Sequence, residues 1–265
     1  MNDRADRTEG EQTGGPEVKK GVAWVGRRLK QVEYTVVDEQ AVVEGCIVLG
    51  EAEEVRQITE AVERAARTGE EIFGVAVNEP RYLWRAKTVP FDIHPMLERP
   101  ERVREAIAHW VRNTPLRFPE RDSGSQFLFP DWITFKPGRG CSSRVGCRGG
   151  QQFITVGDDC EVGNVIHEIG HAVGLFHEQS REDRDQFVEV RFDKVIPEFI
   201  HNFNQHIVDG TDFGAYDYAS IMHYPGVSFS LDQSETIIPR KEGVTIGQRK
   251  GLSEGDIATI RMLYP

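Results

Sequence analysis

The chain has 265 residues, with 43 acidic against 32 basic side chains and a formal net charge of -11. That balance disfavours non-specific contact with nucleic acid or an anionic membrane surface, so neither is expected as a partner. A 38% hydrophobic content supports a packed core for one large domain, or for a domain with an accessory segment. No stretch approaches the ~18 to 20 apolar residues of a membrane span.

Residues 1–20 carry charge, Gly and Pro16 without periodicity and read as a disordered polar tail. With no apolar run, this end does not resemble a Sec-type signal peptide, leaving a non-Sec export route, a signal outside this chain, or the cytoplasm as expectations. Apolar residues partly alternate over 32–43, as in strands, and Cys46-Ile47-Val48-Leu49 follows Gly45. Residues 53–68 place Val55, Ile58, Val62 and Ala65 at helical spacing before Gly69, a natural C-terminal cap. The following connection marks a boundary, with an accessory segment over 21–74 and a main domain over 75–265.

Within that domain, 82–91 suggests a first strand with an edge proline, and 101–112 an amphipathic helix. Residues 127–135 and 152–156 read as strands, separated by a Gly- and Ser-rich loop that contains Cys141 and Cys147. Residues 164–174 form the next helix. Beyond Asp209 the pattern is mostly loop until a helix at 253–263, with Ser253 as its N-cap. Four cysteines are too few for a disulfide scaffold and suggest one local bridge plus two thiols with other duties.

The chemistry concentrates in the segment His167-Glu168-Ile169-Gly170-His171-Ala172-Val173-Gly174-Leu175-Phe176-His177. Residues four apart share a helix face, so His167 and His171 can grip one ion at Zn–N distances of ~2.0 to 2.1 Å. Gly174 permits a left-handed turn that brings His177 back as a third ligand. Three nitrogens and one open position suit a catalytic zinc, and Glu168 is placed to accept a proton from the attacking water. A chance pair of histidines on an exposed helix would not carry Gly174 and His177 at these offsets.

The segment continues Glu178-Gln179-Ser180-Arg181-Glu182-Asp183-Arg184-Asp185, and downstream stands Ser220-Ile221-Met222-His223-Tyr224. Together these closely resemble the astacin family of metzincin metalloendopeptidases, from about residue 82 to the end. The resemblance implies an α+β metzincin fold: a twisted mixed sheet with the active-site helix in an N-terminal lobe, then a loop-rich C-terminal lobe with a terminal helix. It implies one Zn2+ held by His167, His171 and His177, Glu168 as general base, and Met222 in a turn beneath the histidines. Tyr224 would be a mobile tyrosine that stabilises the oxyanion. Glu178 would pair with a new N-terminus in the mature enzyme, and Cys141 and Cys160 would form a disulfide flanking the substrate-binding strand. The expected partners are a protein or peptide substrate and an activating protease, and the expected state is a monomer.

Three departures stand out. A second family disulfide has no counterpart here. Cys147 is additional, so a bridge from it to either neighbour stays open. In the accessory segment, Val43-Glu44-Gly45-Cys46 has cysteine where family precursors often place a zinc-binding aspartate. A thiolate binds zinc at ~2.3 Å, so Cys46 is read as a fourth ligand in a latent precursor, released by cleavage around 73–77. The alternatives are a buried structural cysteine, an inactive zinc-binding protein, or a thiol-based redox sensor.

Overall fold

The computed structural model describes residues 17–25, 28–68, 83–206 and 212–265. Ten strands and four α-helices are assigned among them, most of the strands in one eight-stranded sheet ordered β1-β2-β3-β4-β7-β8-β6-β5. The sequence expectation of a mixed sheet is met. β5 (Phe91–Ile93), β6 (Trp132–Lys136) and β8 (Gln151–Val156) run parallel, and β7 (Cys141–Ser143) is antiparallel to β8.

The first half of the sheet comes from the N-terminal segment. β1 (Val18–Val25) and β2 (Arg28–Val37) form a hairpin; β3 (Gln40–Val43) and β4 (Ile47–Glu51) continue it antiparallel. The alternating run at 32–43 is therefore two strands, broken where Asp38 and Glu39 both take positive φ in a tight turn. β1 begins at Val18, inside the expected tail. α1 (Ala52–Thr68) covers the hairpin, and Ala23, Tyr34, Ala41 and Val55 close a small core of their own.

β4 then joins the main sheet by lying parallel to β7, with Ile47 opposite Ser143 and the Ser143 N–H donating to the Cys46 carbonyl at 2.9 Å. Thus the N-terminal segment adds strands to an edge of the central sheet, a mode in which backbone bonds supply the adhesion.

α3 (Val162–Ala172) packs on the central sheet, and α2 (Glu101–Asn113) packs against α3. Trp110 is fully buried between them and donates its indole N–H to the Ile166 carbonyl at 3.1 Å. Burying such a side chain contributes about 1.5–3 kcal/mol. Trp84 donates to the Ala172 carbonyl at 2.8 Å, fixing the end of α3. β9 (Val188–Val190) and β10 (Ile237–Pro239) form a small ribbon in the loop-rich second lobe, whose core includes Val188, Phe203, Tyr224, Phe229 and Ile237. α4 (Glu254–Leu263) closes the chain, and the Ser253 hydroxyl accepts from the Asp256 N–H as a cap.

Several expected elements differ. The strand expected at 127–135 is confined to β6, because Asp122 folds residues 122–125 into a side-chain-capped turn and Pro130 lacks the donor a strand needs. The first strand starts at Phe91, and Arg85–Lys87 form a short 3₁₀ turn instead. β7 lies in what reads as a loop. Gly69 and the cleavage region at 73–77 lie outside the described residues. Among the described residues, no helix is long and apolar enough to cross a membrane.

Candidate metal centre

α3 starts with a reciprocal cap, in which Glu161 and Asn164 satisfy each other's backbone donors. Its boundaries, two residues earlier than the pattern suggests, leave Gly174 beyond the helix at φ 111, a left-handed value that releases the chain to turn. That turn returns His177 to the helix face. His167, His171 and His177 are all buried, and with Cys46 their candidate ligand atoms lie within 4.8 Å of one another. Cys46 Sγ is 3.4 Å from Nε2 of both His171 and His177 and 3.8 Å from Nε2 of His167.

The other face of each ring decides what this cluster can do. Nδ1 of His167 donates to the Ile221 carbonyl at 2.8 Å, and Nδ1 of His171 to the Leu175 carbonyl at 2.8 Å. Nδ1 of His177 donates to Glu44 Oε2 at 2.7 Å. An acceptor at Nδ1 fixes the proton there and leaves Nε2 with a lone pair. Three Nε2 lone pairs and one thiol sulfur thus converge on a single point, a donor set suited to one zinc ion. Burial, first of all, holds the imidazoles of His167 and His171 well below their usual pKa, so both stay neutral.

Cys46 reaches this point through a turn between β3 and β4 in which Glu44 (φ 49) and Gly45 (φ 72) are both left-handed. A non-glycine residue there costs about 1 kcal/mol. The Glu44 contacts offset it. Oε2 also accepts from the Ser180 hydroxyl at 3.1 Å, Oε1 accepts from His206 Nε2 at 2.5 Å, and the Glu44 N–H donates to Asn202 Oδ1 at 2.8 Å. Burial opposes the charge on Glu44, but His206 and His177 outweigh it and hold the carboxyl well below its normal range. The His206 ring lies 4.1 Å from that of Phe176.

Beneath the histidines, residues 220–224 make a tight turn. A Cβ on Gly170 would sit 2.6 Å from Met222 Sδ, so only glycine lets the turn approach this closely. The turn is anchored by Asp256 of α4, which accepts from the Ser220 hydroxyl at 2.6 Å, the Ile221 N–H at 2.9 Å and the Ser253 N–H at 2.9 Å. Arg249 donates to the carbonyls of Ile221 and His223 at 2.9 and 3.1 Å. The Tyr224 phenol stands beside His177, with ring centroids 4.5 Å apart, and donates to the Glu44 carbonyl at 2.6 Å. Glu168, next to His167 on α3, is buried.

Glu178 accepts from the Asp217 N–H at 2.8 Å and lies 3.5 Å from Arg181. Burial pushes its carboxyl up to about 8. Cys141 and Cys160 are bridged, while Cys46 and Cys147 are buried and form no disulfide, which closes the question of a Cys147 bridge. Glu44, His206, Asp256 and Arg249 were not singled out by the sequence. Only Glu44 left a trace there, as the residue before a glycine in a segment already under suspicion.

A helix carrying two metal-facing histidines, a glycine-released third and a methionine turn beneath them define a metzincin-type metal centre in an α+β fold. The family model for the astacin peptidases matches residues 76–265, and the chain belongs to that family. It is 39% identical over 201 residues to zinc metalloproteinase nas-13 of Caenorhabditis elegans, an overlap of 73% of this chain and 44% of the relative. With blastula protease 10 of Paracentrotus lividus it shares 37% identity over 191 residues, 68% of this chain and 32% of that one. The chain therefore spans less than half the length of these relatives. Among solved structures, high choriolytic enzyme 1, a hatching enzyme zinc-protease from Oryzias latipes, superposes with a TM-score of 0.61 at 34% identity, covering 67% of this chain and 88% of that one. Myroilysin, at 21% identity and a TM-score of 0.50 over 69% of this chain and 96% of its own, shares the fold.

Proposed function

We propose that the protein is a zinc-dependent endopeptidase held latent by its own N-terminal segment. The observation that carries this reading is the convergence of three lone-pair-bearing Nε2 atoms with the Cys46 sulfur. Zinc bound there supplies a Lewis acid that polarises a scissile carbonyl and makes water a nucleophile near neutral pH. His167, His171 and His177 hold it. Glu168 takes the proton of the attacking water and passes it to the leaving amine. Tyr224 donates a hydrogen bond to the oxyanion once its phenol is free. Met222 seats the histidines from below.

In the intact chain Cys46 takes the position that water needs, and β4 lies along β7 where an extended substrate would pair. The family match beginning at residue 76 supports a segment over 21–74, with β1 extending it back to Val18, ahead of a catalytic region over 75–265. Cleavage around 73–77 removes the segment. The new N-terminal ammonium then pairs with Glu178, whose buried carboxyl has reason to accept a cation. Substrates are proteins or peptides, as the hatching enzyme and the zinc metalloproteinase names suggest for the relatives.

The test is casein digestion by intact and activated protein, with and without chelator, alongside Glu168→Gln, with N-terminal sequencing of whatever is active. Activity confined to a shortened, chelator-sensitive, Glu168-dependent form is expected. Activity of the uncut chain under oxidant alone would favour the redox-sensor reading, and none under any condition the inactive zinc protein.

A further inference from the structure

The three imidazoles are not oriented by the same part of the molecule. His167 leans on the carbonyl of Ile221 and His171 on that of Leu175, both within the region matched by the family model. His177 leans on Glu44, 133 residues upstream in the N-terminal segment. The carboxylate is built in for this contact. It is buried, both oxygens are engaged by side chains from 177 to 206, and its backbone adopts a left-handed conformation to reach them.

A carboxylate behind a ligating imidazole fixes the ring's orientation and tautomer and raises its basicity as a ligand. We propose that Glu44 is a positioning residue of the metal centre, a hold on the metal supplied by the N-terminal segment through His177 and separate from the Cys46 thiol. The inference rests on the metal-site reading above and adds to it that the intact chain is the form best prepared to take up zinc. When the segment leaves, His177 loses its orienting carboxylate as well as the neighbouring thiol.

The test is zinc affinity of the intact chain, measured by competition with a chelating dye, for wild type, Glu44→Gln, Cys46→Ala and the double variant. X-ray absorption on the zinc-loaded forms reports whether sulfur is bound. Glu44→Gln is expected to weaken zinc binding ~10- to 100-fold while sulfur remains in the coordination sphere. The double variant is expected to bind more weakly than Cys46→Ala alone. Wild-type affinity in Glu44→Gln overturns the proposal. So does equal affinity of the double variant and Cys46→Ala, because Glu44 would then act only by seating the thiol. Loss of the sulfur signal in Glu44→Gln overturns it for the same reason. A wild-type site without sulfur removes the blocking-thiol reading instead, and the affinities of wild type and Glu44→Gln still decide the role of Glu44. Should Glu44→Gln fail to fold, Glu44→Asp keeps the charge while withdrawing the oxygen from His177, and the same loss is expected.

Discussion

The Tyr224 phenol donates to the backbone carbonyl of Glu44 at 2.6 Å, a bond between residues 180 positions apart. Glu44 therefore engages the metal centre twice, its carboxylate behind His177 and its carbonyl on the hydroxyl assigned to oxyanion stabilisation. In the latent state proposed above, Cys46 would withhold the metal's open position while the Glu44 carbonyl holds the oxyanion donor. In the activated enzyme, Tyr224→Phe is expected to lower kcat by ~10² to 10³, the usual effect of losing one oxyanion donor, with KM little changed. Steady-state kinetics on a peptide substrate checks it; an unaltered kcat would remove Tyr224 from the mechanism.

Glu168→Gln keeps shape and burial but removes the proton acceptor. A fall in kcat of ~10² to 10⁴ is expected, with zinc content unchanged. Metal analysis beside the kinetics separates loss of the base from loss of the ion.

Gly170→Ala would place a methyl 2.6 Å from Met222 Sδ, well inside contact distance. The turn must retreat from α3, so a destabilisation of about 1–3 kcal/mol is expected from overpacking, together with weaker zinc retention. Thermal unfolding of metal-free and loaded protein reads both effects. Equal stability to wild type would mean the turn does not press on the helix.

How much of this centre is legible in the sequence follows from the distances its contacts span along the chain. The metal-binding segment is readable because its three histidines and Gly174 fall within eleven consecutive positions and answer to local helix and turn geometry. β7 is not, since Cys141-Ser142-Ser143 has neither length nor β-branched side chains and becomes a strand only through its partners on both sides. Asp256 reads as an ordinary first-turn acid of a capped helix, yet it also anchors a turn 35 and 36 positions earlier. The role of Glu44 depends on His177 and His206 folding onto it from 133 and 162 positions away, which no local pattern encodes.

The Cys141–Cys160 bridge closes a loop of 19 positions that carries β7 and β8 to the start of α3. Replacing both residues by serine is expected to cost about 3 kcal/mol, the chain-entropy value for a loop of this size. Denaturant unfolding of the double variant tests it, and a loss below about 1 kcal/mol would mean that the sheet alone holds the loop.

Metal removal should register as stability, because only the folded chain assembles the four candidate ligands. With free zinc at ~100 times its dissociation constant, the loaded form is expected to gain about 2.7 kcal/mol over the metal-free one. Calorimetry before and after chelation, with zinc added back, measures the difference.

The most direct measurement is zinc-edge X-ray absorption on the intact chain. One sulfur at ~2.3 Å with three nitrogens at ~2.0 to 2.1 Å is the expected result. Nitrogen and oxygen donors alone would contradict it and leave Cys46 a buried thiol beside an open site.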